Sequence, residues 1–144
     1  MRIAIVGAGV SGIAMGVALR EAGFEEFTIL ERNPELGGVW SQNTYPGACC
    51  DVPSYLYSYS YAQRRDWSRP CSPQSEIHDY LHGVATDHGV LDRIRTGVEV
   101  DRATWLDDPK RWRLPMRLSL IDAVLLHGPG WTRTTARRIM SPLL

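Results

Sequence analysis

The run Arg2-Ile3-Ala4-Ile5-Val6 passes directly into Gly7-Ala8-Gly9-Val10-Ser11-Gly12, and this junction constrains the fold more than any other stretch of the chain. Gly7 allows a strand to turn sharply into a helix, Gly9 lets the backbone approach a pyrophosphate, and Gly12 lets the helix lie close to the sheet. The preceding run is apolar and β-branched, as a parallel strand buried on both faces should be. The following stretch, residues 11–22, is helical in pattern, with Ile13, Val17 and Leu19 among small residues and Gly23 as a stop. A second strand over residues 27–31 ends in Glu31, at the position of the acid that accepts ribose hydroxyls, and an acid there selects FAD or NAD over NADP. The helix N-terminus would face the phosphates, where its positive dipole end favours an anion. Gly37-Gly38-Val39-Trp40 then adds a second glycine pair, and the order of the two motifs points to a flavin dinucleotide.

The residues from Glu31 to Trp40, with Asn43-Thr44-Tyr45-Pro46-Gly47-Ala48-Cys49-Cys50-Asp51-Val52-Pro53-Ser54 and Leu56-Tyr57-Ser58-Tyr59-Ser60 after them, closely resemble the N-terminal region of flavin-containing monooxygenases of the Baeyer–Villiger type. The resemblance continues more loosely through Trp67 and residues 73–88 into residues 93–100, about three-quarters of the chain. It implies roles for individual residues. Gly7, Gly9, Ser11 and Gly12 would line the pyrophosphate, Glu31 would bind the adenosine ribose, and Arg32 would lie beside the adenine. Gly38, Val39 and Trp40 would pass the phosphate and ribityl portion. Asp51, Val52 and Tyr57 would run beside the isoalloxazine, and the main chain of Val100 would meet the adenine edge. In that family the aspartate matching Asp51 helps position an arginine from later in the chain, which makes Asp51 the one candidate catalytic position. Many relatives carry arginine where Cys49 stands. Intact relatives use NADPH to reduce the flavin and then oxygenate a ketone or a soft nucleophile, so a small-molecule substrate is implied.

Each assignment has a plainer counterpart. An aspartate before Val52-Pro53 often makes only a local turn bond, and Trp40 and the tyrosines from Tyr45 to Tyr61 also suit simple packing. The alternation of Tyr55, Tyr57, Tyr59 and Tyr61 fits an extended segment as well as a cofactor wall. An amine oxidase or disulfide reductase is the competing flavoprotein class; the latter needs a redox CxxC, which this sequence lacks. A non-catalytic nucleotide-binding fragment, or half of a split protein completed by a downstream polypeptide, is the competing functional class.

His78 and His82 share a face of a helix expected over residues 73–88, with Ser72 as N-cap and Pro73 in the first helical position. Ile77, Tyr80, Leu81, Val84 and Ala85 form its buried stripe, so the histidines read as a solvated polar face and no metal is expected. Ser11 sits in a phosphate loop without a Gly-x-Ser-x-Gly elbow, which argues against nucleophilic catalysis. A formal charge of zero gives no electrostatic reason to bind nucleic acid or an anionic membrane. No apolar stretch has transmembrane length, and the N-terminus begins with a core strand rather than a leader, so the cytoplasm is the expected compartment. Cys49, Cys50 and Cys71 lack paired spacing and are expected to stay reduced.

The expected architecture is α/β: a Rossmann-like FAD-binding domain over residues 1–110, incomplete, with a parallel sheet and a right-handed crossover through helix 11–22. Residues 41–70 would form a loop over the flavin, and residues 93–106 a strand returning to the adenine side. Residues 111–144 read as an irregular, divergent tail. Residues 1–110 carry 10 basic and 15 acidic side chains, whereas residues 111–144 carry 6 basic and 1 acidic. Two readings of the tail compete: residues 121–128 as a degenerate sheet strand ending at His127-Gly128, or translation that has left the ancestral frame. Composition favours the second. The 144 residues hold one dinucleotide motif, assigned to FAD, so the NADPH site is expected to be absent from this chain.

Overall fold

The structure is a computed structural model describing residues 2–108, 110–114 and 123–126. Its elements in chain order are β1 (Ile3–Val6), α1 (Val10–Glu21), β2 (Phe27–Leu30), α2 (Val39–Gln42) and α3 (Gln74–Asp87). A 3₁₀ turn (Leu91–Arg93), β3 (Ile94–Arg95), β4 (Thr104–Leu106), β5 (Arg111–Arg113) and β6 (Ala123–Leu126) follow. Four strands form a parallel sheet in the order β3-β2-β1-β6, and β4 and β5 form a separate antiparallel hairpin.

Period-two alternation decides which face of the sheet each residue serves. Ile3, Ile5, Phe27 and Ile29 pack with Ile13 and Val17 of α1 and with Tyr80, Leu81 and Val84 of α3. Ala4 and Leu30 point the other way, where Leu114 covers them beside the partly buried Val6, Val98, Val100, Ala103 and Trp112. Small residues let α1 approach closely: a Cβ on Gly16 would come 2.9 Å from Ile29 Cδ1 and 3.4 Å from the Phe27 ring. The helix stops at Gly23 (φ 81°), where the Gly23 and Phe24 amides bond back to Arg20 and Leu19 carbonyls.

The sheet carries a strand that composition argued against. β6 pairs parallel with β1 in the register Ile3↔Ala123 to Val6↔Leu126, and β5 pairs with β4. The divergent-tail reading of 111–144 is therefore corrected at Arg111–Arg113 and Ala123–Leu126, and at Ala123–Leu126 the strand reading of 121–128 holds. The physical reason is that β1, paired with β2 along one edge, has a second edge whose amides and carbonyls need partners, and a four-residue apolar run meets that need whatever charge flanks it. Residues 115–122 and 127–144, with His127-Gly128 among them, lie outside the described residues.

Three local expectations also change. The single strand over 93–106 is broken at Gly97 (φ 68°), which turns the chain so that the Gly97 and Val98 amides donate to the Asn33 and Glu31 carbonyls instead of extending β3. Pro73, in extended conformation, is the residue before α3, and Ser72 does not cap it. Ser72 is fully buried; its hydroxyl donates to the Arg69 carbonyl and its amide to Ser54 Oγ, while the Gln74 amide finds the Ala48 carbonyl. The tyrosine-rich stretch is a chain of turns rather than an extended segment, with the Leu56 and Tyr57 amides bonded to Pro53 and Ser54 carbonyls.

That stretch is pinned by aromatic contacts. Tyr59 packs on Tyr61 and Tyr80, its hydroxyl donates to the Val10 carbonyl, and the Tyr80 hydroxyl takes the Tyr59 amide while donating to the Ala62 carbonyl. Burial, reinforced by the neighbouring tyrosines, pushes the Tyr59 hydroxyl far above its usual range, and burial pushes Tyr61 up to about 12. A folded-state pKa above the unfolded value of 10.0 means stability that is intact below pH 10 and lost as pH rises through the folded values. Base titration followed by circular dichroism and tyrosinate absorbance should show loss of structure beginning above pH 10, with the Tyr59 signal appearing only on unfolding. Ionisation of Tyr59 near pH 10 in a chain that keeps its helical signal would contradict this.

Candidate nucleotide-binding site

The site begins where β1 runs out. Gly7 (φ 97°) turns the chain, its amide bonded to the Leu30 carbonyl at 2.7 Å, and α1 starts after Gly9. The first intrahelical bond is Ile13 N–H to the Gly9 carbonyl at 3.0 Å. The N–H groups ahead of it have no intrahelical partner, and no side chain caps the helix. Gly12 does a different job. A Cβ there would lie 1.8 Å from the Gly7 carbonyl oxygen, so this glycine permits the contact between helix and strand.

Glu31 follows β2 and is only 4% exposed. Its carboxylate accepts the Ala8 amide at 2.7 Å through Oε2, and through Oε1 the Asn33 amide at 2.9 Å and the Asn33 side-chain N–H at 2.7 Å. A buried carboxylate needs such donors. These three also join the glycine turn to the segment after β2.

The second glycine motif completes the cradle. The Gly37 amide donates to the Ala8 carbonyl at 2.8 Å, and Gly37 (φ 117°) and Gly38 (φ 59°) both occupy backbone conformations that side chains disfavour. Gly38 lies directly against Gly9: a Cβ on Gly38 would be 3.1 Å from the Gly9 Cα. The two motifs, remote in sequence, meet backbone to backbone. Trp40 Nε1 donates to the Tyr57 hydroxyl at 3.1 Å with the rings edge-on, and Gln74 donates to the Trp40 carbonyl, so α3 and α2 together fix Tyr57.

These elements enclose an open cavity of about 660 Å³ at the carboxyl end of the parallel strands, where ligands of doubly wound sheets bind. Of the candidates from sequence, Gly7, Gly9, Ser11, Glu31, Arg32, Gly38, Val39, Tyr57 and Val100 line it. Gly12 lies behind the turn and Trp40 behind Tyr57, while Asp51 and Val52 are exposed and outside its lining. Asn33, Gln42, Val98 and Glu99 line the cavity without having been singled out. Asn33 was within reach of sequence reasoning, since a side chain two residues beyond a buried acid is placed to donate to it. Val98 and Glu99 were not, because the Gly97 turn brings them in. Among the described residues no cluster of His, Cys, Asp and Glu could hold a metal ion, and no helix is long and apolar enough to cross a membrane.

Residues 5–69 match the family model of the NAD(P)-binding Rossmann-like domain. A Baeyer–Villiger monooxygenase of Streptomyces coelicolor is 41% identical over 131 residues, covering 90% of this chain and 25% of that protein. The FAD-binding monooxygenase ktnD of Aspergillus niger is 39% identical, covering 87% of this chain and 21% of that protein. A solved structure of oxidized steroid monooxygenase bound to NADP superposes with a TM-score of 0.78 at 32% identity, covering 87% of this chain and 25% of that one. A match to 90% of the chain cannot be contained in residues 1–110, so similarity runs past the point where the sequence was read as diverging. The chain spans about a quarter of the length of the relatives it matches, and over that stretch it is similar to flavin-containing monooxygenases of the Baeyer–Villiger type.

Proposed function

We propose that this chain binds FAD in the cavity between its two glycine motifs and forms the FAD-holding portion of an NADPH-dependent flavoprotein monooxygenase. The observation that carries the reading is the apposed Gly9 and Gly38 backbones beside a buried Glu31. The first leaves room where phosphates would lie, and the second puts a fixed negative charge where a ribose would lie. Gly7, Gly9, Ser11 and Gly38 would hold the pyrophosphate, Glu31 the ribose, Arg32 and the Val100 main chain the adenine, and Val39 with Tyr57 the ribityl and ring side. Asp51 and Val52 are assigned to the isoalloxazine side by the resemblance alone, and Asp51 would act through a group supplied from later in a longer chain. When bound, the flavin would supply hydride acceptance and oxygen transfer to a ketone or soft nucleophile. The free thiols of Cys49, Cys50 and Cys71 suit a cytoplasmic setting.

A carboxylate disfavours the 2′-phosphate of NADP and accepts ribose hydroxyls, so Glu31 sets the preference. Replacing it removes a charged acceptor and orphans the Ala8 amide inside the turn. Glu31→Ala is expected to raise the FAD Kd by about tenfold to a hundredfold, the loss of one or two charge-assisted hydrogen bonds. Flavin-fluorescence titration of the purified variant checks this. An unchanged Kd would remove Glu31 from the site.

In the relatives' length, the NADPH site and the substrate pocket would lie outside the quarter that these residues span. The isolated 144-residue chain, saturated with FAD, is accordingly expected to give no NADPH-dependent oxygenation of ketones or sulfides, since hydride delivery needs a nicotinamide held against the flavin. Product above a flavin-only control would overturn that expectation.

A further inference from the structure

His78 does not belong to the solvated face that its spacing with His82 suggested. His82 is exposed, but His78 is turned inward on α3 with its side chain 21% exposed, beneath the second glycine motif. Its Nε2 lies 3.0 Å from the Leu36 carbonyl oxygen and 3.8 Å from Glu35 Oε2. A carbonyl only accepts, so Nε2 carries the hydrogen and the ring donates. The same ring abuts the next residue: a Cβ on Gly37 would stand 2.7 Å from His78 Cδ2.

One peptide group is thereby held at both ends. The Leu36 carbonyl takes the His78 N–H, and the Gly37 amide of the same peptide donates to the Ala8 carbonyl at 2.8 Å. That peptide links α3 to the first glycine turn, and the residue after it is Gly38, seated on Gly9. We propose that His78 is a positioning residue for the nucleotide site, fixing the Leu36–Gly37 peptide so that Gly38 stays against Gly9 and the cavity between the motifs is pre-formed. His78 itself is not part of the cavity's lining and acts through the loop. Its effect on cofactor affinity rests on the FAD reading above; its effect on the loop does not.

The test compares His78→Leu, which keeps apolar bulk and removes the donor, with His78→Gln, whose side-chain amide can donate to the same carbonyl. Both are measured for hydrogen exchange at the Gly37 amide without ligand, for FAD Kd by fluorescence, and for Tm. In His78→Leu the Gly37 amide should exchange about tenfold faster relative to Ile29 and Leu81 amides, and the FAD Kd should rise by about fivefold to tenfold, the range expected for one lost hydrogen bond. His78→Gln should hold both within about twofold of the parent chain at a similar Tm. Wild-type exchange at Gly37 in a folded His78→Leu chain would overturn the proposal. So would a folded His78→Gln chain that loses as much as His78→Leu, since this would assign His78 to packing alone. If the parent chain bound no FAD, the FAD reading would fall and Gly37 exchange would still decide the role of His78.

Discussion

Gly9→Val is expected to abolish FAD uptake and leave the fold in place. Gly9 has φ −83° and ψ −169°, extended backbone that any residue adopts, and a Cβ there would lie 3.6 Å from the Gly38 Cα, an ordinary contact. At the level of a Cβ the chain therefore has no steric need of a glycine at this position. The phosphates do, because the added methyl groups would project into the space between the two motifs that the backbone N–H groups face. Flavin-fluorescence titration should show no saturable binding, while circular dichroism and Tm stay close to the parent. Cys49→Ser provides the control. Cys49 is an exposed free thiol outside the cavity's lining, and its replacement should leave FAD affinity within about twofold of the parent, as expected for a surface change. Equal losses in the two variants would place the phosphate site elsewhere.

Gly12→Ala is expected to do the opposite, destabilising the fold itself whether or not a ligand is bound. The new Cβ would stand 1.8 Å from the Gly7 carbonyl oxygen and 2.9 Å from the Gly7 carbonyl carbon, both backbone atoms of the turn. Relief requires α1 to lift off β1, which separates Ile13 and Val17 from Ile29 in the main core. A single methyl group should thus cost about 3 kcal/mol or more, near the upper end for overpacking, and lower Tm by roughly 10 °C. Thermal denaturation followed by circular dichroism measures it. A Tm within a degree or two of the parent would show that the helix is not held where the structure puts it.

These two glycines show why so much of the site could be read from the sequence. Gly7, Gly9 and Gly12 each answer a separate steric demand at fixed spacing, and those demands are local to one strand, one turn and one helix. The buried stripe of α3 was legible for the same reason, since Ile77, Tyr80, Leu81, Val84 and Ala85 repeat with the helical period and are all buried. Where partners come from far along the chain, local pattern fails. Ser72 has the residue type of a cap, but Ser54 and Arg69 claim its polar groups. Residues 93–106 have strand composition, but hydrogen bonds to Asn33 and Glu31 turn the chain at Gly97 and carry Val98 and Glu99 to the cavity. The strand reading of β6 lost weight to the arginine-rich composition around it, whereas pairing with β1 depends on four residues and not on their flanks. His78 was assigned to solvent because its partner, the Leu36 carbonyl, is a backbone atom that no side-chain pattern reveals.

The central claim is that the cavity between Gly9 and Gly38 is built for FAD, and competitive equilibrium binding to the purified parent chain tests it most directly. FAD should bind saturably, one per chain, and NADP in large excess should fail to displace it, because the 2′-phosphate would meet the buried Glu31 carboxylate. Tighter binding of NADP than of FAD would contradict the account.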